Sequence, residues 1–232
     1  MALTPEPGET FAREVDEKLR EDQLKDFGKR YGGWIIGGVL LFFAAVGGWL
    51  YWQDREAKKG QEQSETLAAI YVDIAAQNVA NVPQRLKPLE ESGNDIVSAT
   101  AKLTRAAVAL ENNDRQTALA QFKSVADDKG MPKPYRDLAT IRAMALEFDS
   151  LKPEQVIERL APLTKPGEPW FGSAGELTAM AYLKQGQKAK AGKLFADIAA
   201  DQQVPPTIRT RAVQLAGTLG VDATASLPTL NQ

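Results

Sequence analysis

The sequence predicts an all-α protein: a single transmembrane helix followed by an α-solenoid of stacked helical hairpins. Three observations lead there. Residues 32–52 form a run of 21 without a charge. Beyond it apolar residues recur at spacings of three and four, with no sustained alternation at period two. The chain also repeats itself at an offset of 73 residues. Composition agrees, since 44% of the 232 residues are hydrophobic but only 7% aromatic, with alanine dominant. The 28 Lys and Arg against 30 Asp and Glu give a net charge of −2, which offers no basic surface for phosphates and argues against a nucleic-acid partner. Cysteine and histidine are absent, which excludes thiol nucleophiles, disulfides, imidazole catalysis and zinc sites built from either residue.

The uncharged run reads GGWIIGGVLLFFAAVGGWLYW. As a helix it rises about 31 Å, the hydrocarbon thickness of a bilayer. Tyr31, Trp34, Trp49, Tyr51 and Trp52 lie near its ends, where amphipathic rings settle among headgroups. A cleavable signal would have a shorter apolar core, a short basic leader and a small-residue cleavage site. Here 31 residues precede the run, eight of them acidic, and the exit WLYWQDRE is too bulky for a signal peptidase. The remaining alternative is a fully buried globular helix.

Flanking basic residues set the orientation. Arg13, Lys18, Arg20, Lys25, Lys29 and Arg30 precede the run, and only Arg55, Lys58 and Lys59 follow closely. The N-terminus is therefore expected in the cytoplasm and the bulk of the chain across the membrane, where the lack of cysteine is harmless. Gly33, Gly37, Ala44 and Gly48 share one helix face with Leu41 between them. That stripe is either a candidate face for packing against another membrane helix or the ordinary glycine frequency of such helices. Before the span, Phe11, Val15, Leu19 and Phe27 form a thin apolar stripe on a helix starting near Thr10, which suits a solvated or interface-lying helix better than a docking motif. Residues 1–9 read as a disordered tail.

After the span, 53–63 is polar and continues the helix as a stalk. Leu67, Ile70, Tyr71 and Ile74 then begin an amphipathic pattern. Turn signals follow at Val82-Pro83, Ser92-Gly93-Asn94, Asn112-Asn113-Asp114, Gly130-Met131-Pro132, Lys152-Pro153, Pro166-Gly167, Gly186 and Pro205-Pro206. The stretch from Leu110 to Asp128 aligns without a gap on that from Leu183 to Asp201, and the register extends to Ala106 with Ala179, Pro132 with Pro205, Arg136 with Arg209 and Ala139 with Ala212. Another hairpin, turning near Ser150-Leu151-Lys152, fits between the copies, so the 73 residues hold two units of about 36.

A helix-turn-helix unit of this length resembles the tetratricopeptide repeat. Ala106 with Leu110, then Ala118 with Phe122, and Ala179 with Tyr182, then Ala191 with Phe195, fill the signature positions. Alanine lets two helices approach, and the aromatic plugs the gap to the next repeat. The first-helix Trp and Gly of that pattern are missing, so the repeats are degenerate. A terminal helix over 207–219 is expected to cap the stack. The layout is thus a cytoplasmic arm (1–31), a transmembrane helix (32–52), a stalk (53–63), a periplasmic tetratricopeptide-like domain (64–219) and a flexible tail (220–232).

This layout, with the hairpin Glu168-Pro169-Trp170-Phe171-Gly172-Ser173-Ala174-Gly175-Glu176-Leu177 leading to Ala179-Met180-Ala181-Tyr182-Leu183 and Gly186, resembles the ancillary SecYEG translocon subunit family of bacterial inner membranes. The resemblance implies a single-pass inner-membrane protein beside the exporting channel, partnered by translocon subunits and periplasmic chaperones that receive emerging chains. An envelope scaffold for cell-division or cell-wall machinery is the alternative.

No catalytic, cofactor-binding or metal-ligating residues are assigned. No S-x-x-K, G-x-S-x-G or phosphate-loop string occurs. Ser173 as a nucleophile would need a lysine base that nothing places. It reads better as an N-cap, with Glu176 completing a capping box. The acidic pairs Glu90-Glu91 and Asp127-Asp128 diverge on a helix and read as solvated ends. Trp170 and Phe171 read as a plug between repeats rather than an anchor for a partner. The expected activity is protein binding, with no cofactor and no small-molecule substrate. If the span lies in lipid, Leu41→Arg near its centre costs about 2.5–3.5 kcal/mol of insertion free energy, measured as a fall in the membrane-integrated fraction.

Overall fold

The structure is a computed structural model. It describes residues 7–227, with side chains from Lys29 onward except at positions 32 and 35. Residues 1–6 of the expected disordered tail, 228–232 of the expected flexible tail and the side chains of Phe11, Val15, Leu19 and Phe27 lie outside the described set. All regular elements among the described residues are α-helices or short 3₁₀ turns, which matches the all-α expectation. The chain divides into two compact units between Glu62 and Gln63.

The first unit is the long N-terminal part of α1 (Pro7–Ala75). Its apolar window carries no buried residue, with Trp34 83% and Phe42 62% exposed. A core helix of a globular protein would be mostly buried, and within its own unit this one is not. Among the described residues, α1 is the one helix long and apolar enough to cross a membrane. Residues 53–63 are helical throughout, and Lys58 pairs with Asp54 one turn away at 2.8 Å.

The second unit begins with the last turns of α1. It continues through α2 (Val82–Glu90), α3 (Asp95–Glu111), α4 (Arg115–Ala126), α5 (Lys133–Glu147), α6 (Pro153–Leu160), α7 (Phe171–Lys184), α8 (Lys188–Ala200) and α9 (Pro206–Thr218). Shifting α3, α4 and α5 by 73 residues lands them on α7, α8 and α9, so the sequence repeat is a repeat of helices. Several starts are set by local chemistry. Asn94 Oδ1 accepts from the amides of Ile96 (3.0 Å) and Val97 (3.2 Å) at α3, and Asp114 Oδ1 accepts from that of Thr117 (3.0 Å) at α4. Prolines occupy the first turns of α2, α5, α6 and α9, where an amide would have no helical partner.

The stops repeat as well. α3 ends with Asn113 in the left-handed region (φ 60°), its amide donating to Leu110 O and that of Asp114 to Ala109 O. α7 ends the same way one period later, at Gly186 (φ 73°), with bonds to Leu183 O and, from Gln187, to Tyr182 O. Both are Schellman motifs, which satisfy the last carbonyls of a helix. α1 closes likewise at Gln77 and α9 at Gly220.

Buried residues link successive helices. Ala106, Ala118, Ala179 and Ala191 have no exposed surface, and Phe122 and Phe195 are buried beside them. Leu67 and Ile70 of α1 join Val82, Leu86, Leu89 and Val97, so the first hairpin of the unit uses the end of α1. α9 packs against α7 and α8 as the expected terminal cap.

Two local readings are corrected. Ser173 does not cap α7, which starts at Phe171. Phe171 is buried, and a Cβ at Gly172 would lie 2.8 Å from Val204 Cγ1, so a tertiary contact fixes the helix start ahead of the local string. Glu176 is therefore no capping-box acid and instead pairs with Arg211. Residues 220–227, expected to be loose, fold back. Ala223 is buried with the α8–α9 cluster, and Arg209 Nη2 donates to Ser226 O at 3.0 Å. Arg209 is itself buried and its Nε donates to Ala199 O (2.9 Å), closing the end of α8.

Phe195→Ala removes a ring with no exposed surface and is expected to cost about 3–5 kcal/mol, read as a lower denaturation midpoint of the repeat unit.

Candidate protein-binding site

Because α3 lies beside α5, α5 beside α7 and α7 beside α9, the odd-numbered helices build a face of their own, with the even-numbered helices behind them. On this face a cleft of about 320 Å³ opens between α1, α3 and α5. Tyr71, Ile74, Leu103, Ala107 and Tyr135 give it apolar walls, and Glu111 stands at its edge. Tyr71 is 47% exposed yet fixed in direction. Thr104 Oγ1 spends its proton on Thr100 O (2.8 Å) and remains an acceptor for the Tyr71 hydroxyl at 3.2 Å. The ring is thus held over the cleft while its face stays open, the arrangement that receives an apolar side chain of a partner.

Farther along this face Glu176 of α7 accepts two bonds of 2.6 Å from Arg211 of α9. The paired carboxylate raises the Arg211 guanidinium above its ordinary value, and the bidentate fork ties the last two odd helices together. Met180 of α7 is also exposed.

The signature residues fall into two groups. Ala106, Ala118, Phe122, Ala179, Ala191 and Phe195 are core. Leu110 and Tyr182 are only partly buried, and they are not equivalents. Leu183 stands one period after Leu110, whereas Tyr182 is turned about 100° away and faces a second cleft. Trp170 packs partly buried against the α5–α7 cluster, and Phe171 lies in the last cluster, so both act as plugs. The sequence reading missed Tyr135 and Thr104, and took Tyr71 only as part of a periodic stripe. Their one sequence signal is that tyrosine is scarce here, with five in the chain.

Gly33, Gly37, Ala44 and Gly48 are exposed along α1. A Cβ built on Gly33, Gly37 or Gly48 meets no atom within 4 Å.

A stack of helical hairpins carrying an exposed apolar cleft, with an apolar helix attached, is a polypeptide-binding repeat protein of the tetratricopeptide type. A family profile described as a tetratricopeptide repeat-like domain matches residues 25–215, and the chain belongs to that family. Neither a curated protein nor a solved structure matches the chain. Such repeat domains are typically non-enzymatic interaction scaffolds.

Gly37→Leu is expected to reduce co-purification of any membrane helix seated on the stripe without lowering insertion. A Cβ at this position meets no atom within 4 Å, so the change is aimed at intermolecular packing.

Proposed function

We propose that the protein is a membrane-tethered, non-catalytic scaffold of the bacterial inner membrane, its N-terminus cytoplasmic and its repeat unit periplasmic. It binds other polypeptides beside the Sec translocon, together with the periplasmic chaperones that meet exported chains. The observation that carries this reading is the apolar run of α1, in which no described residue is buried, on a chain whose next unit is a hairpin stack with an open apolar cleft. A surface of this kind is stable only when lipid or another helix covers it. The excess of Lys and Arg before the run supports the orientation. The layout and the 168–186 hairpin, which resemble the ancillary SecYEG subunit family, support the partner assignment.

Photo-crosslinking residues placed singly along 33–48 in native membranes test it. Capture of channel subunits is the expected outcome. Capture of cell-division or wall-synthesis proteins instead would replace the translocon with the envelope alternative, and protection of the repeat unit by intact spheroplasts from external protease would overturn the topology.

A further inference from the structure

The second cleft lies away from the odd-helix face, between α6, α7 and α8, and also measures about 320 Å³. Its counterpart one period earlier, between α2, α3 and α4, measures about 170 Å³. The two share a backbone frame and differ in what fills it. In the earlier copy Arg105 Nη1 bonds both carboxylate oxygens of Glu90 at 3.2 Å, so its charge is spent internally. In the later copy Thr178 stands in place of Arg105 and Leu163 in place of Glu90, and the ion pair is gone. Tyr182 replaces Ala109, Lys190 replaces Thr117 and Lys193 replaces Ala120. The later cleft has therefore gained volume, an aromatic wall and two lysines at its mouth, together with Asp197 in place of Ser124 beside Lys193.

These cations are lightly committed. Lys190 Nζ sits 5.5 Å from the Tyr182 ring centroid. Lys193 pairs with Asp197 at 2.7 Å, but the lysine is 76% exposed, and such pairs are worth little and exchange readily. From Lys184 to Leu194 the chain carries Lys184, Lys188, Lys190 and Lys193 and no acid. The floor has a different chemistry. Thr164 Oγ1 and Thr178 Oγ1 are 3.1 Å apart, and each also lies within bonding distance of a carbonyl, Leu160 O at 2.8 Å and Ala174 O at 2.9 Å. Two hydroxyl protons cannot serve three bonds, so the pair has acceptor capacity left over. A spare acceptor on the floor suits an N–H donor, while lysines at the mouth suit a carboxylate.

We infer that this cleft is a second docking site, which takes an extended acidic peptide segment of a partner protein. An apolar side chain of the peptide enters between Ile157 and Leu194, a backbone N–H meets the threonine pair, and an adjacent carboxylate lies on Lys190. A free phosphate would satisfy the lysines but offers no N–H to the floor and no apolar group to the walls. The site is independent of what occupies the odd-helix face.

The test uses the full chain in detergent micelles and a fluorescent decapeptide alternating glutamate and leucine, with its glutamine counterpart as control, read by anisotropy above empty micelles. The glutamate peptide is expected to bind at least about tenfold tighter than the glutamine peptide, with the difference shrinking as salt rises. Lys190→Glu is expected to weaken binding by about tenfold or more, and Lys190→Met, which keeps the side-chain stem, by less. Lys129→Glu, the same charge change on a distant turn, and Tyr71→Ala in the odd-helix cleft are expected to leave binding within about twofold. Equal affinity for the two peptides, equal loss from Lys129→Glu, or displacement by glycerol phosphate as effective as by unlabelled peptide would each overturn the inference. Loss with Tyr71→Ala and none with Lys190→Glu would move the peptide to the other face, refuting this site while upholding the scaffold reading.

Discussion

Everything in the repeat unit depends on how closely its helices can approach at alanine. Ala106, Ala118, Ala179 and Ala191 sit at the crossings with no exposed surface, and a methyl group is what permits the short end of the usual 8–10 Å axis separation. A larger residue there would hold the hairpin open and leave Phe122 or Phe195 half seated. Alanine, however, buries little area of its own. Stability therefore comes from joining hairpins, and the clusters are built accordingly. Phe122 lies with Ala106 and Ala143, and Met144 with Leu160 and Ala174, so each cluster draws on at least three helices. No hairpin holds a complete core, which is the defining economy of repeat architectures.

The parts of this fold that were legible in the sequence are those set by residues close in the chain. The uncharged run, the Pro and Gly breakers and the gapless 73-residue register all depend on local spacing, and α3–α5 fall on α7–α9 as that register requires. What failed did so where distant residues decide. Ser173 followed by Glu176 is a sound capping string, but burial of Phe171 and the approach of Gly172 to Val204 start α7 earlier. Tyr182 fits the signature role as a large apolar residue three after Ala179, although Leu183 occupies the register and one position is about 100° of helix. Neither cleft could be read from periodicity. Tyr71, Thr104 and Tyr135 meet only because α1, α3 and α5 are stacked. Gly186 announced a left-handed helix end, but Gln77 adopts the same conformation with a side chain that gives no warning.

Repetition also explains why two clefts with one backbone can differ so much. The constraints on a hairpin fall on its alanines, its aromatic plug and its Schellman turn, which leaves the remaining positions free to diverge. At one copy that freedom holds an arginine and a glutamate locked together, and at the other a tyrosine with Lys190 over its ring. The odd-helix face shows the same division of labour, with Tyr71 held over an apolar cleft and the Glu176–Arg211 fork fastening its far end.

The folded-back segment after α9 has a consequence for assembly. A pile of identical units is open-ended by nature, because the surface that accepts the next unit is the surface left bare on the last, and such heterologous contacts propagate into filaments. Here Leu219, Val221 and Ala223 cover the α8–α9 cluster, and Arg209 pins the covering strip through Ser226. The α8–α9 hairpin is thus partly covered by the segment that follows it, which removes apolar surface that a further unit would otherwise occupy.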